Sequence, residues 1–258
     1  MFVNNFDPVA FILFGVEIRW YSLAYIFGLI FAIQYGKFLI KRKSYFDFET
    51  KTLDDYLPFA ILGIILGGRI GYILFYDLIF YLQNPLQIFY IWKGGMSFHG
   101  GLIGIILVTI YFVKIKNLKF LVFTDLLALI SPIGLLLGRI ANFINSELVG
   151  SPTNLPWSVI FVKIDEIPRH PSQIYEAILE GLILFLILNF ILKLKNIRGN
   201  ISAYFLILYS IFRIFVEQFR LPDAHLGYIF GSFSMGSTLS ILMLLAGLML
   251  LFNVKNFK

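Results

Sequence analysis

The sequence predicts an all-α, polytopic integral membrane protein with about seven transmembrane helices. Three observations carry that prediction. First, 59% of the 258 residues are hydrophobic and 14% are charged, against about 45–50% and about 25% in soluble domains. With a mean hydropathy of +0.85, too few polar residues remain to clad a water-facing surface. Second, apolar runs of roughly 20 residues, the length that crosses a hydrocarbon core, recur along the whole chain. Third, basic residues flank those runs unevenly, as membrane topology requires.

In chain order the runs cover about residues 20–40, 57–82, 97–113, 120–142, 172–194, 201–219 and 235–252. The third is short, and its glycine-rich start predicts a broken or re-entrant segment. Thirteen basic residues follow the odd-numbered runs: Lys37, Lys41, Arg42, Lys43, Lys51, Lys114, Lys116, Lys119, Lys193, Lys195, Arg198, Lys255 and Lys258. The other side holds five, Arg19, Lys93, Lys163, Arg169 and Arg220. The positive-inside rule then puts the N-terminus outside and the C-terminus in the cytoplasm. Residues 1–17 have neither the basic start nor the small-residue cleavage site of a signal peptide. The one sizeable connection, residues 143–171 on the outer side, is punctuated by Pro152, Pro156, Pro168 and Pro171 and reads as a small periplasmic arm or cap. No repeat or linker divides the chain, so residues 1–258 read as a single domain. Gly63, Gly67 and Gly71, and Gly134 with Gly138, recur at the four-residue spacing that lets membrane helices approach closely.

Composition also excludes several chemistries. No cysteine is present, so disulfides, thiolate nucleophiles and cysteine-held metals drop out. The three histidines, His99, His170 and His225, lack zinc-site spacing, and no metal or cofactor is expected. The net charge of +6 is spread beside apolar runs rather than gathered in a patch, which argues against nucleic acid.

Three arginines, Arg69, Arg139 and Arg213, fall inside apolar runs, with Asp125, Glu176, Glu180 and Glu217 as acidic counterparts. An intramembrane charge costs at least ~2.5–3.5 kcal/mol on insertion scales, so such groups pair or line a polar cavity. The arginines therefore predict a hydrated, positively biased chamber. Asp77, close in sequence, gives Arg69 a structural reading as an ion pair. Arg139, Asn142 and Ser146 share a face if the helix persists, with Glu147 just beyond. A guanidinium beside an amide suits phosphate oxygens. Glu217 lies four residues after Arg213 and three before Arg220, so its carboxylate can bridge both. That arrangement is either a structural ladder or a pair of cations aimed at an anion. His99, between glycines, is a candidate for proton transfer, beside the structural reading open to any lone histidine. His170 reads as structural, with Ser172 as the N-cap of the fifth helix, while Gln173 and Glu176 can face the chamber. His225 reads as exposed.

Several segments together resemble the prolipoprotein diacylglyceryl transferase family. The strongest is residues 138–150, similar to the signature G-R-x-x-N-F-x-N-x-E-x-x-G. Beside it stand H-G-G-L-I-G from His99, R-H-P-S-Q-x-Y-E from Arg169, and R-x-x-x-E-x-F-R-x-P-D from Arg213. Shorter matches are F-D-P at Phe6, R-W-Y at Arg19 and G-G-R-I-G-Y at Gly67. The resemblance implies a seven-helix enzyme of the bacterial inner membrane. It would move the diacylglyceryl group of phosphatidylglycerol onto the lipobox cysteine of a prolipoprotein signal peptide, releasing glycerol phosphate. Essential roles then fall on His99, Arg139, Asn142, Glu147, Gly150, Arg213, Glu217 and Arg220, with Tyr21 and Tyr209 supporting. The segment between Gly150 and Pro168 is shorter than in many relatives, and Ala141 stands where a glycine is frequent.

On this reading Arg139 and Arg213 clamp the donor phosphate while Glu217 orients Arg213 and Arg220. Asn142 and Glu147 position the headgroup, and His99 is either the general base for the thiol or a headgroup ligand. The rival classes are an anion transporter and a lipid-binding or flipping protein without chemistry. A transporter more often shows an internal repeat, and none is visible.

Overall fold

The computed structural model describes residues 2–194, 199–221, 228–229 and 233–256. Lys195, Arg198, Pro222, Asp223, His225 and Lys258, which entered the topology, motif and histidine readings, lie outside the described residues. Each of the seven apolar runs carries a long helix: α1 (Trp20–Arg42), α2 (Lys51–Tyr76), α4 (Phe98–Ile115), α5 (Phe120–Asn145), α6 (Ser172–Ile191), α7 (Ile201–Glu217) and α8 (Met235–Asn256). A six-residue helix, α3 (Leu78–Gln83), follows α2. Five of these, α1, α2, α5, α6 and α8, are long and apolar enough to cross a membrane. Their outer faces expose Phe27, Ile30, Leu66, Leu186 and Met249, side chains suited to lipid rather than water.

The protein is mostly helical, at 69%, but not all-α. The N-terminal residues form β1 (Phe2–Asn4) and a hairpin of β2 (Val9–Leu13) and β3 (Val16–Arg19). Strand β1 runs parallel to β4 (Val159–Phe161), which pairs antiparallel with β5 (Pro168–Arg169). A last two-stranded pair is β6 (Tyr228–Ile229) with β7 (Phe233–Ser234). Such strands, two to five residues long, carry too little periodicity to register in the sequence.

The chain divides into two compact units, Leu39–Phe123 and Met1–Phe38 with Thr124–Lys258. In the first of these, α2 and α4 meet through glycine. A Cβ on Gly71 would lie 2.6 Å from the Gly100 Cα, and one on Gly67 would lie 2.8 Å from the Gly104 Cα. This bears out the packing role of Gly63, Gly67 and Gly71. It also explains Gly100 and Gly104, the glycines on either side of the contact in α4. The predicted break at the start of α4 is absent: Ser97 accepts a hydrogen bond from the Gly100 amide at 3.2 Å, capping a continuous helix.

The irregular backbone lies just before α4, in 3-10 turns at Pro85–Phe89 and Ile91–Lys93. Arg69 holds it. This buried side chain donates to the carbonyls of Gln87 (2.5 Å), Ile88 (2.9 Å) and Gly94 (2.6 Å), and its guanidinium lies 5.0 Å from the Tyr81 ring centre. Its partners are thus carbonyls freed by the turns, not Asp77. The second run breaks at Asp77, whose φ of −150° and ψ of 41° end α2. An aromatic cluster closes the unit, with the Tyr56 and Phe123 rings edge to face at 5.0 Å and the Tyr56 hydroxyl 2.6 Å from Thr109.

In the other unit, a Cβ on Gly28 of α1 would sit 3.3 Å from the Gly134 Cα of α5. Gly181 of α6 comes as near to α5, where a Cβ would meet the Leu136 Cα at 2.8 Å. Gly138 faces open space instead, so the packing role expected of it is not found. Buried Asp125, expected among the counter-charges of the arginines, accepts from the amides of Gly199 (3.0 Å) and Ser202 (2.7 Å) and so secures the start of α7. Residues 143–171 join the N-terminus in a small cap: Phe161, Val159 and Val149 are buried against Phe143, and Asn4 donates to the Phe143 carbonyl at 2.6 Å.

Candidate active site

Within this second unit, α5, α6 and α7 each supply charged side chains to one buried network. Arg139, from α5, places its Nε 2.8 Å from Glu176 and its Nη2 3.6 Å from Glu180. Arg213, from α7, places Nη1 2.5 Å from Glu176 and 3.5 Å from Glu180. Its Nη2 lies 2.9 Å from Glu217, one turn along the same helix. Arg220 extends the chain of charges, 3.9 Å from the same Glu217 oxygen. Glu217 therefore does bridge Arg213 and Arg220, at unequal distances.

Glu176 and Glu180 are fully buried, and they bind the two arginines together. The sequence offered both as counter-charges, and Glu176 as facing the chamber, without naming their partners, which lie 33 residues or more away along the chain. A local feature presents them. The stretch Ala177–Ile183 of α6 is π-helical, a widened winding that recurs at functional sites. The network is not the positively biased chamber expected from arginine count alone. Among its described members, three guanidinium groups meet three carboxylates.

Two asparagine side chains hold the Glu147 carboxylate. Asn142 donates to its carboxylate at 2.8 Å and Asn145 at 3.2 Å. The expected alignment of Arg139, Asn142 and Ser146 on one helical face stops short, because α5 ends at Asn145 and Ser146 turns to a φ of +62°. That turn swings Glu147 back toward Asn142, whose carbonyl accepts the Glu147 amide at 2.9 Å. Tyr209 lies one turn before Arg213 on the same face of α7. The rings of Tyr21 and Tyr25 contact at 5.1 Å on α1, and Tyr25 is within electrostatic reach of Glu147.

Three segments distant in sequence interlock beneath these groups through main-chain bonds. The Gly150 amide donates to the His170 carbonyl (3.2 Å), the His170 amide to Ser151 (3.0 Å), the Ser151 amide to Phe219 (2.9 Å) and the Leu221 amide to Val149 (3.2 Å). Gln173 and Ser172 add side-chain donors to the carbonyls of Glu147 (2.6 Å) and Leu148 (3.1 Å). Ser172 thus ties the loop rather than capping α6, whose N-cap is Pro171. Gly150 is a crossing point of backbones. His170 is structural, as expected: burial pushes its imidazole below the ordinary value, and its ring packs on Phe219 at 5.1 Å. His99 belongs to the unit Leu39–Phe123, at the first turn of α4 and half-buried.

Arg169 locks the cap to this seam. Its guanidinium grips Asp165 at 3.2 and 2.6 Å and donates to the Gly150 carbonyl at 3.2 Å. That hydrogen bonding holds the Asp165 carboxyl below the usual carboxylate range. A carboxyl depressed in the folded state stabilises above its unfolded value of about 3.9 and loses that contribution as pH falls through the folded one. Asp165→Asn should therefore make residues 143–171 more open to proteolysis at neutral pH, with the difference from wild type shrinking in acid below about pH 4. A difference that grew in acid would contradict this coupling.

Apolar helices that carry a buried arginine–carboxylate network mark a multi-pass membrane protein. Among the described residues no group of three His, Cys, Asp or Glu side chains could hold a metal ion. Comparison with known proteins narrows the class. The family model for prolipoprotein diacylglyceryl transferase matches residues 8–253, and the chain belongs to that family. Proteins named phosphatidylglycerol–prolipoprotein diacylglyceryl transferase resemble it throughout. The one from Geobacter sulfurreducens is 48% identical over 247 residues, covering 95% of this chain and 94% of the relative. That from Bordetella avium is 46% identical with the same coverage. The Azospirillum brasilense protein is 47% identical over 253 residues, covering 95% and 92%.

Proposed function

We propose that this protein transfers the diacylglyceryl group of phosphatidylglycerol to the lipobox cysteine thiol of a prolipoprotein. The acceptor thiolate attacks the glycerol carbon that carries the phosphate. A carbon–sulfur bond forms, the carbon–oxygen bond breaks, and glycerol phosphate leaves with the electron pair. The nucleophile belongs to the substrate, which accounts for an enzyme without cysteine. The observation that carries the reading is the paired presentation of Arg139 and Arg213, from two helices, on the shared carboxylate of Glu176. Two guanidinium forks held this way can grip a phosphodiester and stabilise charge growing on the leaving oxygen. Arg220, held by Glu217, adds a third cation. Asn142 and Glu147 position the glycerol headgroup, Tyr21 and Tyr209 line its approach, Gly150 fixes the backbone beneath it, and His99 serves as general base for the thiol.

The same reading places the protein in the bacterial inner membrane as one transferase domain of seven spans, with the N-terminus and the cap of residues 143–171 outside. Purified protein supplied with phosphatidylglycerol and a synthetic lipobox peptide should add a diacylglyceryl mass to the peptide's cysteine and release glycerol phosphate. Movement of labelled lipid between leaflets with no such product would establish the flipping reading instead.

A further inference from the structure

Phosphatidylglycerol brings one negative charge into a network whose described members already balance. Arg139, Arg213 and Arg220 face Glu176, Glu180 and Glu217. If the lipid phosphate takes donors from Arg139 and Arg213, a carboxylate loses its counter-charge. An unpaired buried carboxylate is far too costly to persist and neutralises by taking a proton. The three carboxylates are not equally well partnered. Glu176 has contacts of 2.5 and 2.8 Å. Glu217 has Arg213 at 2.9 Å and also accepts from the Ser234 hydroxyl at 2.9 Å. Glu180 is fully buried, has neither oxygen in a well-aligned hydrogen bond, and meets the arginines only at 3.5 and 3.6 Å. It is the charge most easily given up.

We infer that binding of the phosphatidylglycerol headgroup is coupled to uptake of one proton by Glu180. The inference rests on the phosphate-clamp reading of this site. Among the described residues, the groups facing Glu180 are Arg139 on α5, Glu176 on its own helix, and Tyr209 and Arg213 on α7, with Glu217 and Arg220 beyond. Helix α1, which meets α6 at Phe31 and Phe185, carries only Tyr21, Tyr25 and Tyr35 as titratable groups before Lys37. Helix α8, which meets Glu217 at Gly236, carries no charged residue before Lys255. The bound protein then holds one more proton than the free protein. By linkage, affinity falls as pH rises, by up to about tenfold per pH unit where uptake is complete. Glu180 also becomes a neutral donor beside the phosphate.

The test is calorimetric titration of the purified protein with phosphatidylglycerol, without acceptor peptide, in buffers of different ionisation enthalpy between about pH 6 and pH 9. Uptake should rise toward one proton per lipid bound at the alkaline end, and Glu180→Gln should abolish it and flatten the affinity profile. An infrared difference spectrum of the wild-type protein on lipid addition should gain a protonated-carboxyl band, a readout independent of how the variant folds. Saturable binding with no proton exchange and no such band would overturn the coupling while leaving the clamp standing. Uptake that survives in Glu180→Gln would overturn the assignment to Glu180. Absence of saturable lipid binding at every pH would remove the clamp, and this inference with it.

Discussion

Arg213→Lys should lower the transfer rate onto a lipobox peptide at least about a hundredfold, the scale seen when one donor to a developing negative charge is removed. The charge survives this substitution, and the geometry does not. Arg213 reaches in two directions at once, through Nη1 to Glu176 on α6 and through Nη2 to Glu217 on its own helix. A lysine ends in one ammonium on a flexible stem and cannot hold both carboxylates or present a planar pair of donors to phosphate. Because a cation still faces the buried glutamates, the protein should remain folded, with a melting temperature near that of wild type. Arg139→Ala is the harsher change. It removes the charge outright and leaves Glu176 with one arginine, so both activity and stability should fall. A buried charge left wholly unpaired costs about 3–5 kcal/mol, and with Arg213 still in place the loss should stay below that. Near-normal turnover in Arg213→Lys would sink the clamp, since nothing else in the proposal depends on the fork shape of that side chain.

What could be read in the sequence follows the range of the interaction involved. Helices written as long apolar runs were legible, because the bilayer constrains every residue in them. The Arg213–Glu217–Arg220 ladder was legible too, since helical geometry alone brings those positions together. Glu176 and Glu180 could be seen as charges in an apolar run but not assigned to Arg139 and Arg213, which come from other helices. The π-helical widening that presents them has no composition of its own. Arg69 misled for a related reason: its partners are main-chain carbonyls exposed by the turns of Pro85–Phe89 and Ile91–Lys93, and carbonyls leave no trace in a sequence. Strand β1 pairs with a segment some 157 positions distant, which no local pattern can announce. Gly138 and Gly150 make the same point from opposite sides. Spacing suggested packing for the first, which faces open space, and the motif gave the second an essential role without revealing the three backbones that cross there.

That contrast yields the other large effect. A Cβ at Gly150 would sit 2.7 Å from the His170 Cβ and 2.8 Å from the Phe219 carbonyl oxygen, and closer still to the His170 carbonyl. The obstacles are mainly backbone atoms, so no side chain can rotate aside. In Gly150→Ala the segments 149–151, 169–172 and 219–221 must therefore separate. Overpacking of this kind costs about 1–3 kcal/mol. Activity should suffer more than stability, because the seam positions the site from both ends: Gly150 forms a β-bridge with Arg220, and the Glu147 carbonyl two residues behind the seam is held by Gln173. Moving it displaces Arg220 from Glu217 and Glu147 from Asn142 together. Transfer should fall more than a hundredfold while phosphatidylglycerol still binds, weakened, through Arg139 and Arg213. Gly138→Ala is the matching control for folding, since its new methyl group meets no neighbour within 4 Å and alanine favours the helix by about 1 kcal/mol. If Gly150→Ala melts and turns over like wild type, the crossing backbones are not what holds Arg220 and Glu147 in register, and positioning must come from the side-chain network alone.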